Sequence, residues 1–229
     1  MDIGSIEWKK LIVDGARQMG ITVHADQVDQ FAAHALILNE WNQKINLTAI
    51  ASPMDMAVKH FLDSILSSRF IEPDCRLLDV GSGAGFPGIP LKIMIPSLNV
   101  VLVDSTRKKV SFLNHVIRQL HLGRITAIHS RIEDLLQEWK GGFDVIVCRA
   151  FSSLGDFAEK SIPLLAPDGL LVAFKGRELT TDLDTVSTQS GRDGFPVAGK
   201  SFHTELQMEC VSFKLPFLNL SRMLILLHR

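Results

Sequence analysis

Four glycines fall within eight residues at Gly81-Ser82-Gly83-Ala84-Gly85-Phe86-Pro87-Gly88, and Asp104 follows nineteen residues after Gly85. Glycine lets a backbone turn tightly and approach a ligand with no Cβ in the way. A short apolar run at 77–80 precedes the loop and a helical pattern follows it, which is the setting a nucleotide-binding loop requires. In an open α/β sheet, ligands bind beyond the carboxyl ends of the strands. Asp104 ends the next apolar run, and a carboxylate there can accept two hydrogen bonds from ribose hydroxyls.

Two ligands compete for such a loop. A dinucleotide needs G-x-G-x-x-G/A, whose last small residue lets the helix pack close beneath a pyrophosphate. Counted from Gly81, that position is Phe86. The spacing here is G-x-G-x-G with Asp79 two residues upstream. This form suits S-adenosylmethionine, which has no phosphate to cradle. A glycine-rich turn without a ligand is the bland alternative, and the density of glycines with Asp104 in register argues against it.

These residues need a scaffold, and the chain supplies one. Residues 1–70 read as helical, with apolar positions at i, i+3 and i+4 through Trp8, Leu11, Ile12 and Gly15, and again through Phe31, Ala35, Leu38 and Trp41. Asn42 to Thr48 is polar and ends the second pattern. A third helix is predicted over 53–70, with Ser52 as N-cap and Pro53 at its first position. From Arg76 onward short apolar runs (77–80, 100–103, 125–129, 145–148, 170–174) alternate with helical segments near 88–95, 107–121, 132–139 and 153–165. That alternation predicts parallel βαβ units with helices on both faces. The runs 205–213 and 223–228 are predicted to pair as an antiparallel hairpin at the sheet edge. Residues 176–204 read as a helix plus loop. The division expected is 1–72 as a helical extension and 73–229 as the ligand-binding domain.

Composition removes other classes. The 229 residues carry a net charge of −1, 46% are hydrophobic and 21% charged. A chain of this length buries roughly 70% of its unfolded surface without staples, and it is not of the disordered type. Cys75, Cys148 and Cys210 lie far apart with no CxxC, so a disulfide framework, a zinc ribbon or an iron–sulfur cluster is not expected. No His/Cys/Asp/Glu cluster has ligand spacing, so no metal is expected. No run reaches a membrane span, and residues 1–7 lack a signal-peptide pattern. A cytoplasmic protein is expected, and a monomer is the default. Charge is nonetheless uneven: Arg107, Lys108, Lys109, Arg118, Arg124 and Arg131 fall between Ser105 and Arg131 with no acidic residue among them.

The segment from Asp79 through Gly88 to Ile89-Pro90-Leu91 resembles the first motif of the RsmG/GidB family, bacterial S-adenosylmethionine-dependent methyltransferases acting on guanine N7 of small-subunit (16S) ribosomal RNA. Asn39-Glu40-Trp41-Asn42, Asn46-Leu47-Thr48, and His60, Phe61 and Asp63 resemble its N-terminal signature. Asp104-Ser105 with Arg107, Lys108 and Phe112-Leu113, then Ser130-Arg131-Ile132-Glu133, Arg149-Ala150-Phe151 and Lys175-Gly176, complete the resemblance over about residues 30–176. Residues 1–30 and 177–221 carry no matching motif, and Arg229 stands where the family more often has lysine.

The resemblance implies an α/β fold of the class I S-adenosylmethionine-dependent methyltransferase type: a Rossmann-like, mostly parallel seven-stranded sheet behind a helical extension. It implies donor contacts from Gly81, Phe86, Ile132, Glu133 and Arg149, with Gly83 in the same loop and Asp104 joining by its strand-end position. Ile132 would wall the adenine and Arg149 would sit at the mouth of the cleft. Guanine N7 carries an in-plane lone pair and no proton, so no catalytic acid or base is expected. The motifs of other methyl acceptors are missing: Cys148-Arg149-Ala150-Phe151 stands where exocyclic-amine enzymes carry Asp/Asn-Pro-Pro-aromatic, and Cys148 follows Val147 rather than proline. Arg107, Lys108, Lys109 and Arg118 could neutralise phosphates of the 16S RNA or small subunit. Phe151 could stack on a base, and Lys175 could meet a phosphate. Each has an ordinary reading as solvated helix face, core aromatic or sheet-edge lysine. His60 reads as a partly buried structural residue. Two other functions remain open from sequence: a small-molecule methyltransferase on the same fold, and a noncatalytic module that binds donor and RNA.

Overall fold

The computed structural model describes residues 1–149, 151, 153–176, 194–196, 205–218 and 220–229, with the backbone alone at 194–196 and Glu205. The chain begins with α1 (Ile6–Gln18) and α2 (Ala25–Asn42). Ser5 caps α1 by accepting from the Trp8 amide at 3.2 Å. The helix predicted from Pro53 is present but changes pitch three times: α3 (Pro53–Met56), a π-helical stretch (Ala57–Leu62), α4 (Asp63–Ile65) and a 3-10 stretch (Leu66–Phe70). Ser52 is its N-cap, accepting from the Asp55 amide.

Strands and helices then alternate as the apolar runs require: β1 (Arg76–Val80), α5 (Gly88–Met94), β2 (Asn99–Asp104), α6 (Arg107–Gln119) and β3 (Ile125–His129). A 3-10 turn (Ile132–Leu135) leads into the single turn of α7 (Leu136–Trp139), and β4 (Phe143–Cys148), α8 (Leu154–Ser161) and β5 (Leu165–Lys175) follow. The last strands are β6 (Gly194–Pro196), β7 (Glu205–Leu215) and β8 (Leu220–His228). The order across the sheet is β3-β2-β1-β4-β5-β8-β7-β6. The first five strands run parallel, and β7 and β8 form the antiparallel hairpin that the sequence predicts. β6 is an eighth strand of three residues, in a stretch read from sequence as helix and loop; the rest of 177–204 lies outside the described residues. The central strands β1, β2 and β4 are buried nearly throughout, whereas β3, at the edge, is half exposed. No described helix is long and apolar enough to cross a membrane.

The crossovers split the sheet's two faces. α5 and α6 lie on one face together with α1, α2 and the 53–70 segment; the turn after β3 and α8 lie on the other. The boundary near residue 72 marks a change of element type only. Trp8, Phe31 and Phe61 share one core with Leu77, Ile89, Phe112 and Val147. At the end of α5 the Lys92 ammonium is buried and donates to the Pro96 and Leu98 carbonyls at 2.5 and 2.6 Å. It closes the turn that feeds β2. Lys92→Met keeps the stem and strands both carbonyls, at about 2 kcal/mol or more. Urea denaturation should show that loss; an unshifted midpoint would mean that water replaces the ammonium at no cost.

Candidate functional site

The glycine loop leaves the end of β1 and is shaped by its own backbone. The Gly81 and Ser82 amides both donate to the Val103 carbonyl on β2, at 2.8 and 3.0 Å. Gly81, Gly83 and Gly85 have φ of 70°, 57° and 88°, a region that other residues enter only at a cost. Gly81 combines that conformation with open space: a Cβ placed there would meet nothing within 4 Å. Gly85 and Gly88 face inward, where a Cβ would come within 2.5 Å of the Ile89 side chain and 2.4 Å of the Leu102 side chain.

Two carboxylates hold the loop. Asp79 is fully buried beneath it and accepts from the Gly88 amide at 2.9 Å. Burial pushes its carboxyl up to about 7. Asp104 ends β2 and accepts from the Gly83 amide at 3.0 Å and the Thr106 amide at 2.8 Å, with the Lys109 ammonium 3.7 Å away. Each Asp104 oxygen keeps a second lone pair for another donor. Gly81, Gly83 and Asp104 thus meet at the carboxyl ends of neighbouring strands. Ile132 is buried at the start of the turn after β3, and Glu133 beside it pairs with Lys160 at 2.7 Å.

Phe86 and Arg149 face the other way. The Phe86 ring lies between two histidines of the N-terminal helices: His60 stacks on it at 4.4 Å and His34 at 4.8 Å, both nearly coplanar. Phe61 meets it edge-on at 5.2 Å. The ring is therefore committed to the extension, and what Phe86 can offer a ligand is its backbone. His34 Nε2 donates to the Ala84 carbonyl inside the loop at 3.0 Å, the tautomer a carbonyl acceptor demands. His60 Nε2 meets Thr48 Oγ1 at 3.0 Å. Thr48 is itself placed by Asn42, whose Oδ1 accepts from the Leu47 and Thr48 amides and whose Nδ2 donates to the Thr48 carbonyl. The Asn42–Thr48 segment is thereby tied to the loop through His60.

Arg149 follows the carboxyl end of β4, as the sequence expects, and its side chain turns inward. Its guanidinium reaches the wholly buried Asp63 at 3.1 Å and donates to the Lys59 carbonyl and to Ser64 Oγ. Arg222 of β8 holds the other Asp63 oxygen at 2.9 Å. A buried carboxylate needs such partners, and that need draws Arg149 back. Phe151 packs against Phe157, ring centres 5.5 Å apart, with Lys160 over its face. Lys175 is half-buried at the end of β5. Arg107, Lys108 and Arg118 are exposed on α6.

His34, Asp63 and Arg222 were not singled out as site residues from sequence. A lone histidine on an apolar helix face reads as core, and the ion pair joins residues 159 apart. The one signal was His60, Phe61 and Asp63 within the resemblance.

The fold and loop define an α/β sheet of the S-adenosylmethionine-dependent methyltransferase class. A SAM-dependent methyltransferase from Aquifex aeolicus has this fold at a TM-score of 0.56 and 15% identity, over 80% of this chain and 96% of that one. TYW2 of M. jannaschii, solved in complex with AdoMet, does so at 0.52 and 13% identity, over 73% and 74%. The family described as GidB, rRNA small subunit methyltransferase G, matches residues 27–205. Ribosomal RNA small subunit methyltransferase G of Geotalea uraniireducens is 40% identical over 96% of both chains, and that of Acetivibrio thermocellus 35% identical over 100% of this chain and 91% of its own. The chain belongs to the rRNA small subunit methyltransferase G family.

The stack has a pH consequence. Burial lowers His34 to about 4 and His60 to about 3 from 6.5. Between about 4 and 6.5 the unfolded chain binds two protons there that the folded chain does not, so acidification destabilises the fold. Asp79 opposes this: raised from 3.8 to about 7, it contributes stability at low pH that is lost as pH rises through 7. Two histidines outweigh one carboxyl. Urea midpoints should fall from pH 6.5 to pH 4.5, more steeply in Asp79→Asn and less steeply in His60→Phe. Identical slopes in all three proteins would contradict this assignment.

Proposed function

We propose that this chain transfers the methyl group of S-adenosyl-L-methionine to N7 of a guanine in 16S ribosomal RNA, acting as a cytoplasmic monomer without a metal. The observation that carries the reading is the open space over Gly81 in the loop that the Asp104 carboxylate holds through the Gly83 amide, in a chain of the rRNA methyltransferase G family. The residues present fit the donor. The backbone at Gly81 and Gly83 lets it approach, the remaining Asp104 lone pairs suit ribose hydroxyls, and Ile132 gives an apolar wall beside Glu133.

The donor, when bound, supplies an electrophilic methyl group on a sulfonium. Guanine N7 brings a lone pair and no proton to remove. The protein therefore needs no general base, and its work is to hold nucleophile and methyl in line, where orientation is worth about 7–11 kcal/mol. Asp79, the loop carboxyl with the raised pKa, supports this division: it is fully buried under the loop and tied to Gly88, out of reach of a substrate proton. Phe86 and Arg149 serve from behind, fixing the loop and the end of β4. The basic face of α6 provides for RNA phosphates.

Methyl-labelled donor incubated with small subunits, or their naked RNA, from cells lacking this protein should leave label in RNA. N7-specific depurination and strand cleavage should then release it. Label only in a small-molecule extract would favour the small-molecule enzyme, and donor binding without transfer the noncatalytic module. Gly81→Ala should weaken donor binding at least about tenfold while the fold persists, because a Cβ fills the cradle. Asp104→Asn should weaken donor binding and leave RNA affinity unchanged, as calorimetry and filter binding will read; the reverse pattern would contradict the assigned role.

A further inference from the structure

Beside the donor loop lies a cavity of about 250 Å³ that none of the expected contacts describes as a unit. Two distant segments build it. Lys44, Ile45, Asn46 and Leu47 come from the loop after α2, and Thr106, Lys108 and Lys109 from the start of α6. Three of the seven lining residues are lysines and none is acidic. Lys44 is 73% exposed, with only a long 3.8 Å contact to Glu40. Lys108 makes no ion pair among the described residues. Lys109 is anchored, its ammonium 3.7 Å from Asp104.

We propose that this cavity is a phosphate subsite for the RNA substrate, seating a backbone phosphodiester close to the methylated base. The inference rests on the proposed rRNA reading and deepens it. Three lysines lining one concave surface, with no acidic residue among the lining, focus positive potential, and the positive end of the α6 dipole adds to it. The cavity is too small for a drug-sized ligand, which takes roughly 300–1,000 Å³, yet its mouth is open to an extended chain. Asn46 and Thr106 supply side-chain hydrogen-bond groups among the lysines, a mixture that suits phosphate and sugar oxygens. Lys109 joins this cavity to the donor site directly, because Asp104 also accepts from Gly83. A strand held here lies beside the carboxylate assigned to the donor ribose. The Asn42 hydrogen bonds give the loop carrying Lys44 and Asn46 a fixed shape.

The test uses the full chain with Lys44→Gln and Lys108→Gln combined, leaving Lys109 beside Asp104 untouched. Affinity for naked 16S RNA is measured from 50 to 300 mM salt, with donor affinity by calorimetry. The double variant should bind RNA about tenfold more weakly at low salt. Its slope of log affinity against log salt should be shallower by about 1.4, two contacts at about 0.7 each. Donor affinity should be unchanged. The charge-preserving pair Lys44→Arg and Lys108→Arg should keep the wild-type slope, and Lys10→Gln with Lys140→Gln, which also removes two charges, should change little. An unaltered slope in the glutamine pair, with wild-type RNA binding intact, overturns the subsite alone. Loss of activity on subunits but not on naked RNA would also overturn it, pointing to an acidic ribosomal protein as the occupant. Failure of the wild-type protein to bind RNA overturns the rRNA reading itself.

Discussion

Phe86 is gripped on both faces by histidines that belong to the N-terminal helices, and the glycine loop around it owes its shape to that grip. A loop with three residues at positive φ has no strong local preference for one conformation. Here it is fixed from below by Asp79, from the front by Asp104, and from behind by the stack and by the His34 hydrogen bond to Ala84. Each stacked pair contributes about 0.5–1.5 kcal/mol beyond its buried area. The extension is therefore part of what holds the glycine loop in place. Asp63 repeats the arrangement a few residues on, tying the same helical segment to the ends of β4 and β8 through Arg149 and Arg222. Removing that carboxylate would leave two guanidiniums facing each other in a largely dry space, a loss of the order of 3–5 kcal/mol.

The parts of the fold written in local pattern were legible in the sequence. Every predicted strand is present, because runs apolar on both faces admit few other structures; three of the helices between them start within a residue or two of the predicted positions, and the one predicted from 132 opens as a 3-10 turn with a single α turn from Leu136. The glycine loop and Asp104 were legible for the same reason: their spacing is itself the geometry. Long-range side-chain choices were not. Nothing local tells Arg149 to face Asp63, or Phe86 to enter a pair of histidines on helices some 25–50 residues upstream. The π-helical turn at Ala57–Leu62 was also invisible, since it is one residue's difference in pitch, yet it lies in the segment that presents His60 and Phe61 to the loop. Such turns recur at functional sites.

In the proposed N7 transfer no titratable group at the front of the site has to act as acid or base. An acceptor nitrogen with no proton asks for alignment, and a rigid loop on a buried sheet supplies alignment. The groups with strongly shifted pKa values, Asp79, His34 and His60, all sit behind the loop, where they act on its shape. Perturbed titration is often a guide to catalytic residues. In this protein it marks the scaffold that holds the glycine loop.

The most direct test of this account is a crystal structure of the protein with S-adenosylmethionine bound. The account predicts the donor over Gly81 with its ribose at Asp104, the loop from Asp79 to Gly88 unmoved, and the Phe86 ring still between His34 and His60. A donor bound elsewhere, or a loop that rebuilds itself with Phe86 released from the histidines, would contradict it.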